Sequence, residues 1–513
     1  MRFIFICILL CFYFEGTAQI HFFERKELAP TLEIPWDIEF GPDGNLWLSE
    51  SQGRISKVNP NTGEYHLVWK APDYRDPSIS EQWPLCYKPM PGSGCLGLAL
   101  DPDFQKSHEL YLLYSYWDSS NLPVKTAFKI VLLRLDEKND TVIFSKNMVL
   151  QIPTGFDHLG GRMLCVNSNG KKYLFVSTGD NGISETSQPS CYSPQSTNPN
   201  NQAWNPLTKN GKILRYYADG SIPNDNPLAG NPFYTRGHRN PQGLAWNSEQ
   251  HILYETEHGD RTDDEINILQ SGMNYGWKWV RGWHADNNWS GEEDSVNQYQ
   301  PYPGITGDHL VEPIYVWCAD PQPLSNSNAD WCTVAPSGAC WYGQGAISIL
   351  QNSLLVTTLK NGDFAKQEVY AFRMNKDGKS LIPSNSTIPN PLHLFTEDAN
   401  INGRIRDIAL SPDGRKIFII NNGGFGSGRD KITVYTYVKK GFQLHPNPAE
   451  RVSYIQWDSP IMDVKITDVC GREATEFTWQ NNALEFNPGL HGIYFVKVKD
   501  EWGNEQTGKL MLR

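Results

Sequence analysis

From about Pro35 to Val438 the chain repeats one pattern of apolar and polar positions. A run of four to six apolar or alternating residues is followed by a Pro-Asp-Gly-like turn, a second run, a polar break and a third run. The clearest copies are Trp36 to Val58 (WDIEFGPDGNLWLSESQGRISKV) and Ile405 to Val434 (IRDIALSPDGRKIFIINN, then DKITV). Others begin near Leu96 (LGLALDPDF), Gly161 (GRMLCVNSNGKKYLFVSTGD), Gln242 (QGLAWNSEQHILYETEHGD) and Gly345 (GAISILQNSLLVTTLKNGD). Short runs of this period between Gly, Asn and Asp turns predict strands, not helices. A three- or four-stranded sheet cannot bury both its faces alone, so about six copies predict radial stacking into a propeller, the last copy closing the ring against the first. The copies are unevenly spaced. A long insertion from Trp279 to Ala339 is expected at a blade edge, where insertions often shape a site.

The two ends of the chain depart from this pattern. Met1-Arg2, the apolar run Phe3 to Phe14 and the small residues Gly16-Thr17-Ala18 before Gln19 read as a secretory signal peptide over residues 1–19. That run is too short to span a bilayer, and no later stretch approaches the length needed, so no membrane span is predicted. After Val438 the sequence turns to HPNPAERVSYIQW, VKITDVCGREATEF, LEFNPGLHGIYFVKV and GKLMLR, which predicts a separate small β-sandwich. The fold class is therefore all-β, a six-bladed β-propeller over residues 20–440 followed by a C-terminal β-sandwich over 441–513. Through PNPA at Pro446 to Ala449, DVCGRE at Asp468 to Glu473 and GLHGIYFVKV at Gly489 to Val498, the tail resembles the C-terminal sorting domain read by the type IX secretion system. That resemblance implies secretion machinery as a partner and a secreted or cell-surface location. An appended binding module with the same sandwich is the alternative.

Charge and cysteines narrow the classes further. A net charge of -12 argues against nucleic acid and anionic membranes, which reward clustered Lys and Arg. Of the ten cysteines, Cys7 and Cys11 leave with the signal peptide. The rest would meet an oxidising compartment, where Cys86/Cys95 and Cys318/Cys332 are the expected disulfides by sequence proximity. There is no CxxC, and the histidines are scattered, so nothing in the spacing resembles a zinc site.

The densest candidate chemistry lies between Gly211 and Trp277 (GKILRYYADGSIPNDNP, GHRNPQGLAW, TEHGDRTDDEINIL, GMNYGW). Arg239-Asn240-Pro241-Gln242-Gly243 places a guanidinium and an amide just before a strand, with Pro fixing the turn that aims them. Asp263-Asp264-Glu265 and Asn267, with the carbonyls of Gly259 and Asp260, offer hard oxygen donors suited to Ca²⁺. The spacing is not that of an EF-hand, and solvated acidic residues in a turn are the equal alternative. His158 and Asp180 end successive strands of one blade, where they can meet as a general base and its orienting carboxylate. A solvated loop histidine is the plainer reading.

Together these segments resemble the soluble quinoprotein sugar dehydrogenases, the glucose/sorbosone dehydrogenase family that uses pyrroloquinoline quinone (PQQ). The match runs from about Pro35 to Val438 and is carried by DGSIPNDNP, GHRNPQGLAW, DDEINILQSGMNYGW, WCTVAPSG at Trp331 to Gly338, TTLK at Thr357 to Lys360 and RIRDIALSPDG at Arg404 to Gly414. It implies PQQ lying near the propeller axis at one face and a sugar substrate oxidised by hydride transfer. His158 matches the family's general base, Asp180 the position that orients it, and Arg239 the arginine beside the reacting carbonyl. Asn240, Thr333, Lys360, Arg404 and Arg406 match further cofactor contacts. The carbonyls of Gly259 and Asp260 match those holding a calcium that bridges to PQQ, and Glu265 with the carbonyl of Tyr275 a second, structural calcium.

The sequence also departs from the family. His258, a cofactor-side residue, and Asp260 stand where glucose-oxidising members carry Gln and Pro, Gly92 replaces a substrate-side Gln, and Asn328 replaces an aromatic. The implied chemistry is retained while the sugar pocket is altered. A non-catalytic carbohydrate- or protein-binding propeller is the rival reading, and it would be expected to lose His158 or the basic residues. The Gly423–Gly428 run opens no helix, which excludes a dinucleotide fold. The electron acceptor is undetermined by sequence, and a homodimer is left open.

Overall fold

The computed structural model describes residues 23–28, 30–76, 94–120, 125–154, 157–181, 201–260, 262–284, 291–319, 332–360, 367–384, 388–422, 430–438, 442–457, 461–480, 482–500 and 505–513. They form a six-bladed β-propeller and a C-terminal β-sandwich. Each blade is a four-stranded antiparallel sheet. The inner strands are Pro35–Phe40, Cys95–Leu100, Gly160–Ser168, Pro241–Asn247, Pro336–Tyr342 and Ile405–Leu410, and each packs against the next around one axis, the last against the first. Phe23–Leu28 supplies the outer strand of the sixth blade by pairing with Lys431–Tyr437. The ring is thus held shut by hydrogen bonds between the two ends of the propeller sequence.

The second strands are apolar on both faces because each blade is sandwiched between two others. Leu46–Glu50 and Ser353–Thr358 are buried throughout. Between the first two blades Trp47, Ile55, Leu98, Leu112, Tyr114 and Val131 form one continuous core. Equivalent clusters fill other blade junctions. Burying a large side chain of this kind is worth roughly 1.5–3 kcal/mol.

Two expectations fail here. The fifth copy was phased at Gly345, whereas its inner strand is Pro336–Tyr342, and Ser348–Leu350 form a short 3₁₀ turn. Ile347, Ile349 and Leu350 are buried in that turn, so the apolar residues imitate a strand while capping the core. The Cys86/Cys95 disulfide does not form, because Cys95 is a free thiol. It opens an inner strand with its side chain in the core of the first two blades, a placement that sequence proximity does not report. Cys86 lies outside the described residues. Cys318 and Cys332 are bonded, with Cα atoms 5.5 Å apart, which ties the long insertion to the approach of the fifth blade.

In the tail, Gln443–His445, Val452–Gln456, Ala483–Phe486 and Phe477–Gln480 form one sheet, and Ile461–Asp468, Gly492–Asp500 and Glu505–Leu512 another. Their facing apolar residues, among them Ile455, Ile466, Leu484, Phe486, Val496 and Leu510, make a core of their own. Among the described residues no helix is long and apolar enough to cross a membrane.

One ionic cluster lies against the axis. Arg162 of the third blade reaches Asp407 of the sixth at 2.7 Å and Asp37 of the first at 2.9 Å, and donates to the Gln242 carbonyl of the fourth at 3.0 Å. Its guanidinium also packs on the Trp36 indole at 4.3 Å. The two carboxylates accept backbone N–H groups of Ile38 and Leu98. Burial pushes the Asp37 carboxyl well upward and Arg162 opposes that shift. Removing the cation strands two buried carboxylates, which is more costly than losing an exposed pair. Arg162→Met is therefore expected to lower unfolding stability by roughly 3–5 kcal/mol, read as a shift of the urea midpoint at unchanged slope. A change under 1 kcal/mol would show that the axis is held by packing alone.

Candidate active site

In every blade the inner strand begins, and the second strand ends, at the same edge of the sheet. Gly160 pairs with Thr178, Pro241 with Glu257, Pro336 with Thr358 and Ile405 with Asn421. Successive blades are stitched along this edge: the Asp180 N–H donates to the Arg239 carbonyl, Thr256 Oγ1 to the Ser337 carbonyl and Ser337 Oγ to the Arg406 carbonyl. The described candidates His158, Asp180, Arg239, Asn240, His258, Gly259, Asp260, Thr333, Lys360, Arg404 and Arg406 all occupy these strand ends. The repeat thus carries residues far apart in sequence to one mouth of the axis.

His158 stands just before an inner strand at φ 52°, a left-handed conformation uncommon outside glycine and often kept at functional sites. Gly179 beside it is required, since a Cβ there would lie 1.7 Å from the His158 carbonyl oxygen. His158 Nδ1 is 3.0 Å from Asp180 Oδ1. The other Asp180 oxygen accepts Trp277 Nε1–H at 2.7 Å and Asn201 Nδ2–H at 3.0 Å. A carboxylate so held keeps the proton on Nδ1 and leaves the lone pair on Nε2, the arrangement a general base needs. Asp157 accepts the His158 N–H at 2.8 Å. Crowding at the mouth favours its protonation, but His158, Arg239 and Arg404 outweigh that and hold its carboxyl below the usual range.

The remaining strand ends bring cations together. Arg239 donates to the His258 carbonyl at 3.2 Å, and its guanidinium packs on Trp277 at 5.4 Å. Arg281 packs on the same indole at 5.1 Å, and Asp260 lies 3.6 Å from both arginines. Arg406 packs on Trp36 at 4.8 Å. Lys360 and Thr333 are buried on adjoining loops zipped by Leu359 N–H to Ala335 carbonyl and Lys360 N–H to Val334 carbonyl, each 3.1 Å. Burial pushes Arg404, Arg406 and Lys360 downward, as does the proximity of Arg404 and Arg162 for Arg406. His258 is driven well below its ordinary range by burial, then by Arg239, Arg406, His158 and Arg404, so its ring is neutral. Asn240 Oδ1 accepts Gly160 N–H and Gln242 Nε2–H, which turns its Nδ2 donor to His258 Nδ1 at 3.2 Å. Buried Arg239 Nε, His258 Nε2 and Arg406 Nε have no hydrogen-bond partner among the described residues. Unspent buried donors and crowded positive charge are what a ligand with several anionic oxygens would offset.

The acidic run is not a solvated turn. Asp263, Asp264, Glu265 and Asn267 are buried. Asp264 accepts the Gly259 N–H at 2.8 Å and the Val334 and Ala335 N–H groups at 2.7 and 2.8 Å, locking the 258–260 loop to the Thr333 loop. Gly259 is obligatory, because a Cβ would lie 1.9 Å from the Thr262 carbonyl oxygen. The Asp260 carboxylate adds an anionic oxygen to this loop. Glu265 accepts from the Gly282 N–H at 2.7 Å and from Asn267, whereas the Tyr275 ring stacks on His238. No described contact joins Glu265 to Tyr275. Burial and then the neighbouring Glu257 push the Glu255 and Glu265 carboxyls well upward. Gly92, Asn328 and the Gly423–Gly428 run lie outside the described residues. Sequence reasoning missed Trp277, Asn201, Asp157 and Arg281. Trp277 closes the GMNYGW segment, but only the fold brings it to Asp180.

Residues 443–513 match a secretion system C-terminal sorting domain. The chain is 28% identical over 443 residues to quinoprotein glucose dehydrogenase B of Acinetobacter calcoaceticus, covering 79% of this chain and 86% of that protein. It is 29% identical over 333 residues to an aldose sugar dehydrogenase of Escherichia coli, covering 63% and 72%. The PQQ-bound aldose sugar dehydrogenase structure from Streptomyces coelicolor superposes with a TM-score of 0.55 at 23% identity, covering 81% of this chain and 98% of that one, a likeness of fold. Residues 32–427 match the glucose/sorbosone dehydrogenase family, and the chain belongs to that family.

Proposed function

We propose that this protein is a PQQ- and Ca²⁺-dependent sugar dehydrogenase that oxidises an aldose or similar sugar alcohol at the mouth of the propeller axis, with His158 as general base. The observation that carries the reading is the buried His158–Asp180 pair set beside Arg239, Lys360, Arg404 and Arg406. A non-catalytic propeller has no need for an oriented imidazole beside a cluster of buried cations.

PQQ, when bound, supplies a two-electron acceptor whose oxygens calcium polarises. Arg239, Asn240, His258, Thr333, Lys360, Arg404 and Arg406 would hold it, and the Gly259 and Asp260 carbonyls the calcium. His158 Nε2 takes the proton of the substrate hydroxyl while the hydride leaves the same carbon. Asp180 fixes the tautomer of the neutral imidazole and stabilises the imidazolium that results, and Trp277 and Asn201 fix Asp180. Arg239 places a permanent positive charge where negative charge develops, an effect amplified in a water-poor site. Glu265 with the Tyr275 carbonyl is carried forward as a second calcium position on resemblance alone.

Residues 1–19 act as a signal peptide in this reading, 20–440 as the catalytic propeller, and 441–513 as the sorting signal for type IX secretion to the surface or medium. The test is reconstitution of the purified apoprotein with PQQ and Ca²⁺, then an aldose panel with an artificial electron acceptor. Turnover of at least one sugar is expected, and reduction by no sugar would favour the binding-protein reading.

Two outcomes follow from the assigned roles. Exhaustive chelation is expected to abolish PQQ binding and turnover, with Ca²⁺ alone restoring both; intact binding after chelation would contradict the calcium bridge. His158→Ala is expected to leave PQQ affinity nearly unchanged while turnover falls by the ~10²–10⁴-fold of a lost general base. Arg239→Ala is expected to weaken PQQ binding as well as slow reduction. Stopped-flow absorbance under single turnover separates these effects, and unchanged reduction kinetics in His158→Ala would refute the mechanism.

A further inference from the structure

Behind Arg239 lies a buried group of acids of which the proposed function uses only Glu265. Strands Ile252–Glu257 and Asp264–Ile268 pair so that Glu255 faces Asn267 and Glu257 faces Glu265. Residues two apart on a strand share a face, so one face of this strand pair carries three carboxyls and an amide. All four are buried, Glu255 and Asn267 completely. Among the described residues no Lys or Arg side chain pairs with Glu255, Glu257 or Glu265. His238, on the turn before the inner strand of the same blade, completes the group: one of its ring nitrogens and one carboxylate oxygen each of Glu255 and Glu257 all lie within 4.8 Å of one another.

Several independent features point to an ion at this spot. Glu255 Oε1 and Asn267 Oδ1 are buried acceptors with no hydrogen-bond partner among the described residues. An unmatched buried acceptor costs about 1–3 kcal/mol, and two of them beside a carboxylate cluster call for a cation. His238 Nδ1 and Glu257 Oε1 stand 3.4 Å apart, long for a charge-assisted hydrogen bond but close to the ~3.4 Å ligand separation of a tetrahedral ion with bonds of about 2.0–2.2 Å. The other ring nitrogen, Nε2, is 2.9 Å from Thr235 Oγ1, and the ring stacks on Tyr275 with centroids 4.9 Å apart. A metal-binding imidazole is typically oriented in this way, by an outer hydrogen bond from the nitrogen that does not bind metal.

We infer that His238 Nδ1, Glu255 and Glu257 form a buried structural site for a divalent transition metal ion, with Asn267 Oδ1 available as a fourth ligand. A nitrogen donor with carboxylates suits zinc or a similar ion better than calcium, which takes oxygen donors. This donor set is distinct from the Gly259–Asp260 carbonyls and does not depend on the enzymatic reading. The ion would tie the 237–240 turn to the second strand of the fourth blade, since Glu257 also accepts the Arg239 N–H at 2.8 Å. It would thereby fix the backbone that presents Arg239 on one side and His258 on the other.

The test is metal content. The full chain, unfolded in chelator, is refolded with equal micromolar Zn²⁺ and Ca²⁺, washed with EDTA in the folded state, and analysed by elemental mass spectrometry without PQQ. About one Zn²⁺ per chain is expected to resist the wash, with calcium removed. Glu255→Gln and His238→Gln are expected to retain less than a tenth of that zinc. Thr235→Val, which leaves every ligand in place, is expected to weaken zinc binding by ~10–100-fold, so it decides the matter if the ligand variants do not fold. Folded wild-type protein without zinc, calcium retained in its place, or equal zinc in wild type and the folded variants would each overturn the inference.

Discussion

The structure depends on closing six sheets around one line, and the charged groups nearest that line, Asp37, Arg162 and Asp407, are buried. Arg162 meets this constraint by binding carboxylates from the first and sixth blades and a carbonyl from the fourth. It therefore joins both sides of the ring closure as well as its own neighbourhood. Trp36, on which both Arg162 and Arg406 pack, connects this clasp to the open mouth. The arginine that seals the axis and one at its mouth share a single indole.

Above the clasp the charge balance reverses. The chain as a whole is acidic, at -12, yet the mouth gathers Arg239, Lys360, Arg404 and Arg406. Burial makes the charges of Arg406, Arg404 and Lys360 expensive to hold, and at Arg406 the nearby Arg404 and Arg162 add repulsion. A folded protein keeps such a site when a ligand repays the cost, and in the proposed reading the carboxylates of an anionic quinone would do so. The His158–Asp180 pair is arranged on the opposite principle. Both carboxylate oxygens of Asp180 are engaged, one by the imidazole and the other by Asn201 and Trp277, so the imidazole is held before any substrate arrives. In the proposed reading, cofactor binding and proton removal would thus fall to adjacent parts of the same rim.

Much of this was legible in the chain. The apolar period and turns implied six blades, and Arg239, Asn240, Lys360 and Arg406 fell at strand ends because the repeat places turns there. The phase of the fifth blade was not legible, since GAISIL alternates like a strand but caps a core. Cys95 was misassigned for a related reason: sequence proximity does not report that its thiol is buried in the core of the first two blades. Asp264 read as calcium chemistry or solvent contact, and its bonds to Gly259, Val334 and Ala335 appear only when two blades are side by side. The His238, Glu255 and Glu257 group has no spacing motif at all, because strand register and a turn from outside the pair assemble it.

The central claim is that this mouth is built for a quinone carrying several carboxylates. Equilibrium titration of the calcium-loaded apoprotein with PQQ and with its trimethyl ester, followed by calorimetry at two salt concentrations, tests it directly. The account requires tight binding of PQQ, weakening with salt, and at least a hundredfold loss for the ester, in which the anionic oxygens are masked. Equal affinity for the two, or no binding of PQQ, would contradict it.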